Sequence, residues 1–136
     1  MPRRSTLLAL CMLAGCLWRG YAAIMTVHLD VLTQTAAKLC SVVESKRGLT
    51  AEGMAEYVYP AQRAREFLHQ FDGQAGRQSY KQFTTLVDHY EAMVHAVDAA
   101  RAANRDWVQM LPSLTAERQS LDQLAAEVRA ALKRDN

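Results

Sequence analysis

Apolar residues recur at intervals of three and four along almost the whole of this chain. The first such row comprises Met25, Leu29, Leu32, Ala36, Leu39 and Val43. This spacing places side chains on one face of an α-helix. Only 6 Gly and 3 Pro interrupt 136 residues, and helix-favouring Ala, Leu, Glu, Gln and Arg are frequent. The sequence therefore predicts an all-α protein.

The first helix is expected from Leu17 to Lys46. A second row beside the first widens its buried face, as expected for a helix that touches two neighbours. That row comprises Ile24, His28, Val31, Thr35 and Val42. The cations Lys46 and Arg47 suit the last turn, and Gly48 after them is a residue able to adopt a positive φ.

The second helix begins after Thr50, a candidate N-cap. Leu49 and Met54 are spaced as a hydrophobic staple. Pro60 interrupts the row, because proline removes a helical hydrogen bond and clashes with the preceding turn. This stretch is therefore either kinked at Val58–Tyr59 or split, with Pro60 starting a new helix.

The third helix is expected to begin near Ser79. Polar Arg101 and Asn104 fall at its apolar positions, so the helix either continues with a polar layer or breaks near Asn104. Pro112 ends the stretch in both cases. A fourth helix then begins at Ser113 or Thr115.

Short connections join the four helices, which makes sequential neighbours antiparallel. We therefore expect an up-down-up-down four-helix bundle formed as a single domain by residues 16–136.

The amino terminus has the layout of a secretory signal peptide. Arg3 and Arg4 supply a positive region, and an uncharged apolar stretch follows. That uncharged run, Ser5 to Trp18, is shorter than the roughly 20 residues that a spanning helix needs. It ends in the motif Leu13-Ala14-Gly15-Cys16.

This motif resembles the lipobox of bacterial lipoproteins. The resemblance implies that residues 1–15 are removed and that Cys16 carries a diacylglyceryl group, usually with a third acyl chain. Leu17 stands where an Asp usually retains such proteins at the inner membrane, so the resemblance implies the periplasmic face of the outer membrane. The alternative is an ordinary secreted protein cut after Ala22.

The cysteine and charge content further restrict the classes of function that this chain could have. Cys40 would be the only free thiol of the mature chain, either shielded or available for an intermolecular disulfide. Without Arg3 and Arg4 the chain has 14 basic and 14 acidic residues. That balance argues against a nucleic-acid partner, which requires a concentrated basic face.

No catalytic, nucleotide or haem motif is present in the sequence, and we expect neither an enzyme nor a cofactor. Glu66 and His69 match one Glu-x-x-His pair of a di-iron bundle, but such sites need two pairs. The predicted function is a non-enzymatic interaction or accessory module of an envelope machine, with another envelope protein as its partner. The alternative is a bundle that binds a small ligand or metal in an interior pocket lined by His28 and Tyr90.

A partner is expected at the pole of the bundle far from the membrane. If the third helix is continuous, aromatic and sulfur side chains gather there on the outer surface. The candidate residues are Tyr57, Tyr59, Trp107 and Met110. The alternative is that a break near Asn104 turns Trp107 inward to cap the core.

Overall fold

The fold is given by a computed structural model that describes residues 2–45 and 48–135, with backbone alone for residues 2–16, 107 and 108. Every regular element in these ranges is helical, so the predicted all-α class is confirmed. The helices are α1 (Pro2–Glu44), α2 (Ala51–Gln70), α3 (Gln78–Ala102) and α4 (Leu111–Asp135), with short 3₁₀ helices at Asp72–Gln74 and Trp107–Met110.

The four α-helices form a bundle around one apolar core. Helix α1 packs against α2 and α4, and α3 packs against the same two helices. The largest fully buried side chains come from α1, α3 and α4: Tyr21, Tyr90, Phe83, Met25, Leu29, Leu32, Leu39, Leu86, Met93, Leu121, Val43 and Val87. The apolar rows read from the sequence therefore supply this core.

Helix α1 differs from its prediction at both ends. It begins at Pro2 rather than Leu17, because the preceding apolar stretch consists of residues that also favour helix. It ends at Glu44, and the Ser45 N–H donates to the Ser41 carbonyl at 2.9 Å. Gly48 does not adopt a positive φ, since it lies beyond the position just after the helix where that conformation is useful. Residues 46 and 47 lie outside the described residues.

Helix α2 is one continuous helix, so the predicted split at Pro60 is wrong. Buried side chains on the same face precede and follow the proline, Tyr57 before it and Ala61 after it. Their burial offsets the missing hydrogen bond, which costs about 3 kcal/mol. The predicted N-cap is confirmed, because Thr50 Oγ1 accepts from the Gly53 N–H at 3.0 Å.

Helix α3 ends at Ala102, two residues before Asn104. Asn104 has φ 52°, the left-handed region that asparagine tolerates better than most residues. The Asn104 N–H donates to Arg101 O at 3.1 Å and the Arg105 N–H to Ala100 O at 3.0 Å. These two bonds form a Schellman motif. Of the two predictions for this stretch, the break is confirmed and the continuous helix is wrong.

Helix α4 begins at Leu111, earlier than the predicted Ser113 or Thr115. Pro112 is its second residue. In the first turn of a helix the N–H groups have no intrahelical partner, so proline is accommodated there without the loss of a hydrogen bond.

Aromatic rings fill the core at the end of the bundle where Tyr21 lies. We call this end the aromatic end. Its ring centroids lie 5.1–5.9 Å apart, a separation typical of favourable aromatic pairs. Its rings belong to Trp18, Tyr21, Phe67, Phe71 and Phe83.

A buried hydrogen-bond network joins three helices at the aromatic end. The hydroxyls of Tyr21 and Ser79 lie 2.8 Å apart. Asp135 Oδ2 accepts from Ser79 Oγ at 2.6 Å and from the Ser79 N–H at 3.0 Å. The carboxylate of α4 thereby satisfies a backbone donor in the first turn of α3, where the helix dipole also favours a negative charge.

Candidate partner-binding surface

A surface groove lies between α2 and α3, with a volume of about 290 Å³. We call it the α2–α3 groove. Its buried apolar residues are Tyr57, Ala61, Tyr90 and Val94. The small side chain of Ala61 is part of the lining on α2, and Val94 is part of the lining on α3. The groove can accept an apolar group from outside the molecule.

Tyr90 is one of the residues that line this groove. Its side chain is fully buried, and its hydroxyl donates to the Tyr57 carbonyl at 2.6 Å. Burial raises the pKa of Tyr90 far above its ordinary value of 10.0. The hydroxyl therefore stays protonated and satisfied, and it offers no nucleophile or general base to the groove.

The charged rim of the groove is internally paired. Arg65 Nε donates to Glu91 Oε1 at 2.7 Å, and its guanidinium also pairs with Asp88. Asp98 accepts from Arg101 Nε at 2.9 Å. Because Glu91 and Asp88 share one arginine, these groups carry three negative and two positive charges, and the rim is ion-paired but has a net charge of −1. The apolar lining of the groove, rather than its rim, favours an apolar ligand.

The residues predicted to bind a partner differ in how far their side chains are exposed. Tyr57 is buried, and its ring is not offered to the surface, although it forms part of the groove. Tyr59 is 59% exposed, and the Arg63 guanidinium lies 6.0 Å from its ring centroid. Met110 is partly buried against the core. The side chain of Trp107 lies outside the described residues, so neither prediction for its direction is tested.

The predicted mature chain contains two cysteines, Cys16 and Cys40. Cys16 lies within α1, and its side chain is outside the described residues. Cys40 is buried, and its Sγ lies 3.8 Å from the Leu114 carbonyl. Burial raises the pKa of the Cys40 thiol. A protonated, shielded thiol is a poor nucleophile, which favours the shielded alternative over a reactive one.

The groups considered for metal binding are dispersed. Glu66 pairs with Arg63 at 3.3 Å. Among the residues whose side chains are described, no three His, Cys, Asp or Glu residues are grouped so that they could hold a metal ion.

His28 does not line the α2–α3 groove. Its ring packs 5.2 Å from that of Phe67 and 6.5 Å from that of Phe83. Burial and the nearby Arg63 lower the pKa of His28. The groove therefore does not match the interior pocket, lined by both His28 and Tyr90, that the sequence offered as an alternative.

A second exposed surface was not expected from the sequence. Ile24 and Val31, predicted to widen the buried face of α1, are 41% and 39% exposed. The prediction is wrong for these two residues, whereas His28, Thr35 and Val42 of the same row are half-buried. Leu17 and Val27 are also exposed, at 58% and 59%. We call Leu17, Ile24, Val27 and Val31 the α1 stripe.

No helix in the described ranges combines the length and the apolar character needed to cross a membrane. Comparison with known proteins finds no family model, no characterised protein and no solved structure that matches this chain significantly.

Proposed function

We propose that this protein is a bacterial lipoprotein, attached through Cys16 to the periplasmic face of the outer membrane, whose helical bundle binds another envelope protein without catalysing a reaction. The observation that carries the binding role is the exposure of two neighbouring residues of α2. Val58 lines the α2–α3 groove and is 38% exposed, and Tyr59, next to it in the sequence, is 59% exposed.

An up-down-up-down order of the helices places this surface away from the lipid. In that order Cys16 precedes the aromatic end, where Tyr21 meets the ring of Phe67 in α2. Tyr59 is eight residues earlier in α2, about 12 Å along the helix axis at 1.5 Å per residue. A partner that approaches from the periplasm would therefore reach Tyr59 without meeting the membrane surface.

The chemistry of the surface suits a protein partner. Tyrosine is enriched among the residues that dominate binding energy, since its ring buries a large area and its hydroxyl remains hydrated. A groove of about 290 Å³ has room for one or two apolar side chains from a partner. The ion pairs at the rim would surround that contact, as polar rims surround the cores of protein interfaces.

Lipid attachment is tested by labelling cells with radioactive palmitate. The wild-type chain should incorporate label and the Cys16→Ser variant should not, because the thioether has no attachment site. The variant should also remain uncleaved. Label retained in Cys16→Ser would contradict the proposal.

Partner binding is tested with a photo-crosslinking amino acid at Tyr59 in intact cells. A crosslinked species of defined mass is expected there and not at Glu127, an exposed position on α4. Tyr59→Ala should then reduce recovery of that partner in a pull-down at unchanged melting temperature. Trp107→Ala, compared in the same way, separates a binding residue from a core residue. Equal crosslinking at Tyr59 and Glu127 would contradict the proposed surface.

A small apolar ligand in the same groove is the second candidate. The observation that favours it is the groove volume, which lies near the lower end of the range of about 300–1,000 Å³ seen for ligand pockets. Native mass spectrometry of protein extracted from envelopes distinguishes the two. A ligand would add a constant mass below that of any protein.

A further inference from the structure

Another groove lies between α1 and α4 at the aromatic end, with a volume of about 450 Å³. We call it the α1–α4 groove. Trp18 and Ala22 contribute to its apolar lining on α1, and Leu132 does so on α4. Arg129 and Lys133 line the same groove and are four residues apart, which places them on one face of α4. The α1–α4 groove therefore combines an apolar lining with two cations.

The two cations of this groove differ in whether a carboxylate already pairs with them. Arg129 Nη2 donates to Asp30 Oδ1 at 2.6 Å. Lys133 is exposed and takes part in none of the ion pairs that the described residues form. An anionic group bound in the groove would therefore meet an ammonium group that no adjacent acid neutralises.

Positive charge is concentrated at the aromatic end as a whole. The segments 17–23, 67–83 and 131–135 contain the rings and the hydrogen-bond network of this end. With histidine neutral, they have a net charge of +3, since their charged residues are Arg19, Arg77, Lys81, Lys133 and Arg134 against Asp72 and Asp135. Residues 16–136 are neutral in total, so the rest of the chain carries −3. The charge of the aromatic end is complementary to an anion.

Trp18 gives the groove a side chain that suits the surface of a membrane. Its ring packs 5.5 Å from that of Tyr21, and the guanidinium carbon of Arg77 lies 4.3 Å from its centroid. Tryptophan is enriched at membrane–water interfaces, where its ring is in apolar surroundings and its N–H is hydrated. Trp18 follows Cys16 by two residues, about 3 Å along the helix axis. Lipid on Cys16 would therefore bring the groove to the bilayer surface.

We infer that the α1–α4 groove binds an anionic phospholipid of the membrane to which the protein is attached. The headgroup phosphate lies beside Lys133, and the upper part of an acyl chain packs on Trp18 and Leu132. An anionic lipid uses both the cations and the apolar lining, whereas a neutral lipid uses only the lining. This inference rests on the proposed function, because acylation of Cys16 is what holds the groove at a bilayer.

Quenching of Trp18 fluorescence by brominated lipid tests the inference. Protein purified from envelopes with the substitution Trp107→Phe emits from Trp18 alone. It is reconstituted in vesicles of equal amounts of anionic phosphatidylglycerol and zwitterionic phosphatidylcholine, with bromine on the acyl chains of one or the other. Brominated phosphatidylglycerol should quench Trp18 several-fold more strongly. High salt should reduce this preference, because it screens charges at an exposed site.

The variant Lys133→Gln should lose most of the preference for phosphatidylglycerol, because it removes the unpaired cation of the groove. Arg118→Gln is the matched control, since it removes one positive charge from another exposed position of α4. It should keep the preference. Both side chains are exposed, so both variants should melt at the wild-type temperature. Equal quenching by the two lipids, or an equal loss of preference in both variants, overturns the inference.

The mass of the purified protein distinguishes this inference from the proposed function. An acylated protein whose Trp18 shows no preference between the lipids overturns the lipid site and leaves the anchor at Cys16 intact. A protein that carries no acyl chain contradicts the anchor. A preference of its Trp18 for phosphatidylglycerol would still support the lipid site.

Discussion

The two ends of the bundle are stabilised by different kinds of interaction. At the aromatic end, stacked rings surround a hydroxyl and carboxylate network that joins α1, α3 and α4. At the opposite end the buried side chains are aliphatic or contain sulfur: Leu39, Cys40, Val43, Met54 and Leu114. The chain reverses there through a Schellman motif and a 3₁₀ turn.

This difference indicates how stability is distributed. Each favourable aromatic pair contributes about 0.5–1.5 kcal/mol beyond the area it buries, and a satisfied buried network holds its helices in one register. Among its described residues, the aliphatic end has no such aromatic pair, and Cys40 Sγ makes only a long contact with the Leu114 carbonyl at 3.8 Å. The end beside the proposed lipid site should therefore be the more rigid, whereas the aliphatic end should open more readily.

The sharpest test of the comparison is Phe67→Ala against Val43→Ala. Phe67 touches the rings of Tyr21, Phe71 and Phe83, and its truncation should lower the free energy of unfolding by about 3–5 kcal/mol. Val43→Ala at the aliphatic end removes two methyl groups and should cost about 2 kcal/mol. Urea denaturation measures both. Equal losses would remove the proposed difference between the ends.

Ser79→Ala tests the network at the aromatic end. It removes the hydroxyl that joins Tyr21 to Asp135, and the buried Tyr21 hydroxyl loses its partner. The expected loss is about 1–3 kcal/mol of unfolding free energy. Thr85→Ala, an exposed hydroxyl in the same helix, should stay within about 0.5 kcal/mol of wild type. A loss of the same size in both variants would mean that helix propensity, not the network, is responsible.

Asn104→Val probes the turn at the aliphatic end. A β-branched residue at φ 52° is strained, so the variant should lose about 1–2 kcal/mol, whereas Asn104→Gly should be as stable as wild type. Thermal unfolding followed by circular dichroism compares the two. If valine is tolerated as well as glycine, the left-handed conformation does not determine where α3 ends.

The smallest expected effect is a pH dependence that belongs to the aromatic end. The pKa of His28 in the folded protein lies below its ordinary value of 6.5, so the unfolded chain binds the proton more tightly. Stability is therefore complete above about pH 6.5 and falls as the pH decreases toward the folded pKa. His28→Gln should show a smaller difference in urea midpoint between pH 7.5 and pH 5 than wild type. An unchanged difference would assign the effect to other groups.

The sequence predicts local features of this molecule better than features that depend on how the helices pack together. Thr50 caps the start of α2 and Asn104 ends α3 through contacts within a few residues, so their roles follow from local chemistry. The exposure of Ile24 and Val31 depends on which neighbours cover α1, and periodicity alone contains no such information. The α2–α3 groove likewise combines residues of two helices, such as Ala61 and Val94. These features exist only after the helices have packed.

Asp135 gives the network a consequence for the order of folding. Tyr21 and Ser79 are 58 residues apart, and Ser79 and Asp135 are 56 residues apart. Contacts of such sequence separation form late, because the intervening loops must close first. During synthesis, α4 is made after α3, so the first turn of α3 lacks this carboxylate until Asp135 has been translated. Asp135→Ala would remove this step and would leave the Ser79 N–H without its carboxylate partner.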